Sequence, residues 1–250
     1  MNKLRHLYMY AHAFGKSLQI DTLQHLQTLS NLHIQDWKQA NPANLINLRK
    51  LGLTGNFGTN ADEIFISLSR LLCLQSLFLQ SEDNFMFPSL RQLSLLRRVI
   101  KLQIRGEIRK LPSSNEFPQR LTQLIFHKSH LNDDPMEMLK DLPYLFVLRL
   151  KAFSYVGKQL KVSAGGFPQL EILELEYLLL QEVHVEESAL PQLRSFHISS
   201  CSDLRRIPER MKFVTTLREL QIRQMPRRFT DRLQGEDYCK VQHVPSIKIL

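Results

Sequence analysis

The chain has 250 residues, 43% of them hydrophobic, and a formal charge of +9 from 33 Lys and Arg against 24 Asp and Glu. That apolar content excludes a disordered chain, and no stretch approaches the roughly 20 apolar residues of a membrane span. Three scattered cysteines (Cys73, Cys201, Cys239) exclude a disulfide scaffold or a zinc module. The basic residues stand mostly singly, as Lys110, Arg120, Lys128 and Lys140 do, so a solvated surface explains the charge better than a nucleic-acid tract.

From Leu4 onward a pattern Leu-x-x-Leu-x-Leu, with Ile, Val, Phe or Met as stand-ins, returns about every 24 residues. Copies open at Leu4, Leu29, Leu48, Leu74, Val99, Leu121, Leu145, Leu170, Leu193 and Leu217. The one at Leu48 reads Leu48-x-x-Leu51-x-Leu53-x-x-Asn56, the leucine-rich repeat signature with its asparagine in place. Each copy predicts a short strand whose leucines face one way and whose intervening residues face the other. No copy can bury its apolar edge alone, so the copies must stack.

In chain order, the first copy has no amphipathic segment before it. Its edge at Leu4 and Leu7 is therefore expected to be open, or covered by a further domain that docks there. The interval from Leu29 to Leu48 is the shortest. Asn60-Ala61-Asp62-Glu63 and the apolar-periodic run to Leu72 predict a capped helix with acids in its first turn. Around Phe87-Pro88 the register is ambiguous, because Leu90-x-x-Leu93-x-Leu95 also fits; Val99-x-x-Leu102-x-Ile104 keeps the intervals even and is preferred. Asp133-Asp134-Pro135 before Met136 to Leu142 predicts a second capped helix. Phe117-Pro118, Leu142-Pro143, Phe167-Pro168 and Leu190-Pro191 each mark the turn into the next strand, and Gly55, Gly58, Gly165 and Gly166 fall in turns.

The fold class that follows is α/β: a leucine-rich repeat solenoid curved into a horseshoe, with parallel strands on the concave face and irregular loops and short helices on the convex face. It is expected to occupy residues 1–223 in about ten repeats, with 224–250 as a capping tail of different pattern.

Catalytic signatures are missing. Gly15-Lys16 and Gly157-Lys158 lack the earlier glycine of a phosphate loop, and His184-Val185-Glu186 is not a zinc-protease motif. Ser154, Ser163 and Ser199 sit in no nucleophile elbow, and nine histidines spread over the repeats show no ligand spacing. No enzyme, metal or cofactor is expected. What remains is the strand face, where a partner would touch Lys101, Gln103 and Arg105; Gln123, Ile125 and His127; Val147, Arg149 and Lys151; and Ile172, Glu174 and Glu176. A basic patch there adjoins an acidic one, with Ile125, Val147 and Ile172 as a small apolar anchor. Nucleic acid fits less well, since the strand-face aromatics (Tyr8, Tyr10, Phe78) lie in other repeats.

The C-terminal half carries a resemblance. Gly165-Gly166-Phe167-Pro168-Gln169-Leu170, Glu186-Glu187-Ser188-Ala189-Leu190-Pro191-Gln192-Leu193, Cys201-Ser202-Asp203-Leu204, Ile207-Pro208-Glu209 and Lys212-Phe213-Val214-Thr215-Thr216-Leu217 are followed by Met225-Pro226, Asp231-Arg232-Leu233 and Val244-Pro245-Ser246-Ile247. Together they resemble the leucine-rich repeat domain of plant coiled-coil, nucleotide-binding disease-resistance proteins of the downy-mildew-resistance type. The likeness covers about Leu121 to Ile247; earlier copies show the general repeat pattern. It implies a cytoplasmic module that senses a pathogen effector or its guarded host protein and holds a nucleotide-binding switch domain inactive, in cis or in trans. The coiled coil and the switch domain are not in this chain. A ubiquitin-ligase substrate adaptor is the alternative, marked by an N-terminal ligase-binding box that the chain does not show.

Overall fold

A computed structural model describes residues 3–9, 20–39, 41–58, 61–83, 85–88 and 90–250. The expected cap Asn60 and strand-face Tyr10 lie outside the described residues. The chain divides into two compact units, residues 1–121 and 122–250.

In the first unit, β1 (His6–Tyr8), β2 (Thr28–His33), β3 (Lys50–Gly55), β4 (Ser76–Ser81) and β5 (Lys101–Arg105) lie side by side in chain order, all parallel. Lateral register aligns Leu7, Leu29, Leu51, Leu77 and Leu102 in one column. This corrects one copy of the motif. Leu29 stands opposite Leu51, the second leucine of its copy, so the repeat opens at Leu26 rather than Leu29. Leu29-x-x-Leu32-x-Ile34 fits the pattern in sequence, but β2 bulges between Leu29 and Leu32, with Asn31 at φ 59°, and Leu32 then meets Leu53. The short interval was an artefact of that extra residue.

The return segments carry α1 (Ile34–Gln39), α2 (Ala61–Ser69) and several 3₁₀ turns. α2 buries Ala61, Ile64, Phe65 and Leu68, one helical stripe, and places Asp62 and Glu63 in its first turn. Trp37 of α1 is buried, and its Nε1 donates to Ser67 Oγ of α2 (2.8 Å), which donates in turn to the Ile64 carbonyl (2.7 Å). The single tryptophan thus enters the core with its polar atom satisfied. Val99-x-x-Leu102-x-Ile104 is the strand copy, as preferred. The competing run forms a 3₁₀ turn, Arg91–Leu95, that buries Leu90 and Leu93 but leaves Leu95 exposed.

The second unit comprises β6 (Gln123–His127), α3 (Pro135–Leu139), β7 (Val147–Lys151), β8 (Gln159–Val162), β9 (Ile172–Glu176), β10 (Glu182–Val185), β11 (Ser195–Ser199), β12 (Glu219–Arg223), α4 (Arg227–Gln234) and β13 (Ser246–Ile249). Its main sheet runs β6-β7-β9-β11-β12-β13, all parallel, on a buried column of Leu124, Leu148, Leu173, Phe196 and Leu220 that Ile247 continues half-buried. Asp134 caps α3 as expected, accepting from the Met136 N–H (2.9 Å) with Pro135 at the first helical position, and its other oxygen takes the Lys161 N–H of β8 at 2.6 Å. β8 and β10 form a small separate parallel sheet within the return segments, which the leucine pattern did not reveal.

Residues 224–250 hold α4, packed through Phe229 and Leu233, and then β13. Val244-x-x-Ile247-x-Ile249 repeats the motif once more and pairs on β12, so the tail ends in an eleventh strand. Lys240 anchors the intervening turn, with its Nζ 2.7 Å from Asp237 Oδ1 and 2.5 Å from Glu209 Oε1.

Strand entry repeats one device in both units. A single carbonyl accepts two successive N–H groups from the next repeat: Gln27 from Arg49 and Lys50, and Glu171 from Arg194 and Ser195. This fork fixes lateral register before the strand begins.

Candidate binding face

Because strand side chains alternate, the leucine columns leave every second residue on the opposite face. In the second unit these form three rows across the strands. Gln123, Val147, Ile172, Ser195, Glu219 and Ser246 make the first, and Ile125, Arg149, Glu174, His197, Gln221 and Lys248 the second. His127, Lys151, Glu176, Ser199 and Arg223 make the third. Every strand-face residue singled out from sequence between Gln123 and Glu176 falls in these rows, and all are half-buried. Lys101, Gln103 and Arg105 occupy the matching positions on β5 of the first unit.

The charges on β7 and β9 are not separate patches. Arg149 Nε lies 2.7 Å from Glu174 Oε2, Lys151 Nζ 2.7 Å from Glu174 Oε1, and Lys151 Nζ 2.8 Å from Glu176 Oε2. Burial pushes the Glu174 carboxyl up, but the Lys151 hydrogen bond and the two cations outweigh it and hold it below the ordinary carboxylate range. Burial likewise pulls the Lys151 ammonium down, and its bonds to Glu174 and Glu176 more than reverse that. The four side chains therefore form one neutralised ladder. Adjacent opposite charges at neighbouring register positions pair with each other before any partner arrives.

A second pairing continues along the face. Lys248 Nζ lies 2.7 Å from Glu219 Oε1 and His197 Nε2 3.8 Å from Glu219 Oε2, and the Lys248 hydrogen bond lowers the Glu219 pKa. Sequence reasoning missed Lys248 because β13 lies in what reads as a tail of different pattern. It passed over Glu219, on the copy opening at Leu217, because the strand that supplies its Lys248 partner was not seen. Val147 and Ile172 are register neighbours and form an apolar step beside the ladder, while Ile125 stands next to Arg149.

Away from the strand rows, a cavity of 460 Å³ opens between return segments of the second unit, lined by Glu187, Leu190, Arg210, Phe213 and Thr216 among others. Phe213 is exposed there, with Lys212 Nζ 5.1 Å and the Arg210 guanidinium 5.9 Å from its ring centroid. Among the described residues no group of three His, Cys, Asp or Glu is placed to hold a metal ion, and no helix is long and apolar enough to cross a membrane. Cys201 is buried, and burial pushes its thiol up to about 11, so it behaves as packing rather than as a nucleophile.

A family model described as a leucine-rich repeat region matches residues 1–227. The chain belongs to this leucine-rich repeat family. Among its curated relatives, Disease resistance RPP8-like protein 3 of Arabidopsis thaliana is 30% identical over 252 residues, covering 99% of this chain and 28% of that protein. Disease resistance protein RPP8 from the same plant is 31% identical over 257 residues, with 100% and 28% covered. Disease resistance protein RPH8A is 29% identical over 240 residues, with 93% and 26% covered. Leucine-rich repeat similarity thus extends beyond the C-terminal half to the earlier copies. The chain spans only about a quarter of the length of these relatives.

Proposed function

We propose that this chain is the protein-recognition part of a plant intracellular immune receptor, contacting a pathogen effector or its guarded host target through the strand face and restraining a nucleotide-binding switch domain. The likeness to proteins named for disease resistance over nearly the whole chain carries this reading. The face suits it physically. The Val147–Ile172 step lies in the first row between the uncharged Gln123 and Ser195, with the half-buried charged ladder along one side, an apolar anchor beside polar neighbours of the kind protein interfaces use. The ladder around Glu174 presents fixed, paired charges, which favour specificity over raw affinity. The apolar edge at Leu4 and Leu7, each half-exposed where Leu26 and Leu29 are fully buried, is the proposed docking place for the switch domain.

Co-purification from plant cells with the nucleotide-binding domain of an intact relative tests the restraint. Wild type should co-purify, and Leu4→Glu/Leu7→Glu should not. Recognition is tested with Val147→Glu/Ile172→Glu, which should abolish effector-dependent signalling when placed in the full receptor. Undiminished binding and signalling in both variants, with an unchanged far-UV spectrum, would overturn the proposal.

A further inference from the structure

The positive charge of the chain is unevenly placed. Residues 1–121 contain fifteen Lys and Arg against eight Asp and Glu, and residues 122–250 eighteen against sixteen. On the strand face the contrast is sharper. In the second unit Glu174, Glu176 and Glu219 neutralise Arg149, Lys151 and Lys248. In the first unit the three rows across β1 to β5 contain no carboxylate at all, yet they hold Lys50, Lys101 and Arg105. None of these three cations makes an ion pair among the described residues, and both lysines are exposed. Glu82, just beyond the third row, is bonded to His33 at 3.1 Å. Arg49, at the strand entry beside Lys50, is a further exposed cation.

The middle row supplies an uncharged floor. Gly52 is buried beneath its neighbours, and an added Cβ would lie 3.1 Å from the Asn31 nitrogen and 3.5 Å from Phe78 Cδ1. Phe78 therefore rests half-buried against the glycine backbone, and Tyr8 is exposed in the same row. We infer that the strand face of the first unit is a docking site for an acidic, extended polypeptide segment, with Lys50, Lys101 and Arg105 pairing its carboxylates and Phe78 packing against its backbone or apolar side chains.

Charge complementarity selects the partner. Lys50 and Lys101 sit two strands apart, about 10 Å at the usual strand spacing. Acidic side chains three residues apart in a polyproline-II segment recur on one side at about 9 Å. A single nucleic-acid strand matches less well. Tyr8 and Phe78 are three strands apart, about 14 Å, too far to stack successive bases that rise about 3.4 Å.

This rests on the strand face being a protein-recognition surface and adds which chemistry its first unit selects. The probe is a short labelled peptide with glutamate at every third position, and its glutamine counterpart, titrated by fluorescence anisotropy into the full chain. The glutamate peptide should bind and the glutamine peptide should not. Lys50→Glu/Lys101→Glu/Arg105→Glu should weaken binding by roughly tenfold or more. Lys158→Glu/Lys212→Glu/Arg227→Glu, the same change in net charge at exposed sites of the other unit, should leave it intact. The milder Lys50→Gln/Lys101→Gln/Arg105→Gln should weaken it in the same direction if the reversals unfold the chain.

Equal loss in both reversal sets would reduce the effect to net charge and sink the inference. Tighter binding of a single-stranded oligonucleotide that displaces the peptide would replace it with a nucleic-acid surface. No peptide binding, while Val147→Glu/Ile172→Glu still abolishes signalling, would remove this inference and leave the proposed function standing.

Discussion

Lys240→Met isolates the buried cation that holds the last repeats together. The Lys240 side chain is 6% exposed and that of Asp237 3%, and Nζ also donates to the Ile207 carbonyl at 3.4 Å. Methionine keeps the apolar stem but removes the charge. Asp237 then stays buried, with Arg232 Nε at 3.6 Å as its remaining cation among the described residues. Removing one partner of a buried pair costs about 3–5 kcal/mol, and the Arg232 contact offsets part of it, so about 2–4 kcal/mol is expected. Stability in stacked repeats is a sum of local terms, so the loss should concentrate at the C-terminal end. Urea unfolding gives the total. Hydrogen exchange gives the place, since the Leu250 N–H bonded to the Ile222 carbonyl at 2.9 Å should lose protection first.

Adding Asp237→Asn should recover at least about 1 kcal/mol, because the stranded charge goes with its partner. Burial pulls the Lys240 pKa down, but its bonds to Asp237 and Glu209 outweigh this and leave it above 10.5. A raised folded value means the contribution is complete below the unfolded pKa and is lost as pH rises through the folded one. Wild type and variant should therefore differ by a constant amount at neutral pH and converge only in strong alkali. A Lys240→Met chain within about 0.5 kcal/mol of wild type, with unchanged exchange at Leu250, would refute the reasoning.

Glu174→Gln should cost about 0.5–2 kcal/mol, since it weakens two half-buried pairs at once. The depressed folded pKa of Glu174 contributes stability above the unfolded value near 4.5 that is lost as pH falls through the folded value, so wild type and variant should converge in acid; a gap that persists there would place the effect in packing instead. Leu148→Ala empties a fully buried position in the second unit's leucine column and should cost about 2–5 kcal/mol in urea unfolding, against less than about 1 kcal/mol for Leu148→Met.

Period-two leucines within each copy located the strands, and Asp134-Pro135 located a helix start, because alternation and capping act over a few residues of chain. The sequence alone therefore determined the repeat, the parallel strands and the polar identity of the strand face. It misplaced the second copy because Leu29-x-x-Leu32-x-Ile34 satisfies the same local rule as Leu26-x-x-Leu29, and only the lateral partner Leu51 separates them. It read Arg149, Lys151, Glu174 and Glu176 as adjoining patches, whereas their stacking in register turns them into mutual partners. It overlooked the strand at Ser246–Ile249 and the β8–β10 sheet, whose short motifs gain meaning only when a neighbour covers them. Tertiary structure decided which charges are spent on each other and which, like those of Lys50 and Lys101, face outward without an ion pair among the described residues. Neighbours in a row lie a whole repeat apart in the chain, and each bulge or extra residue in between resets who meets whom.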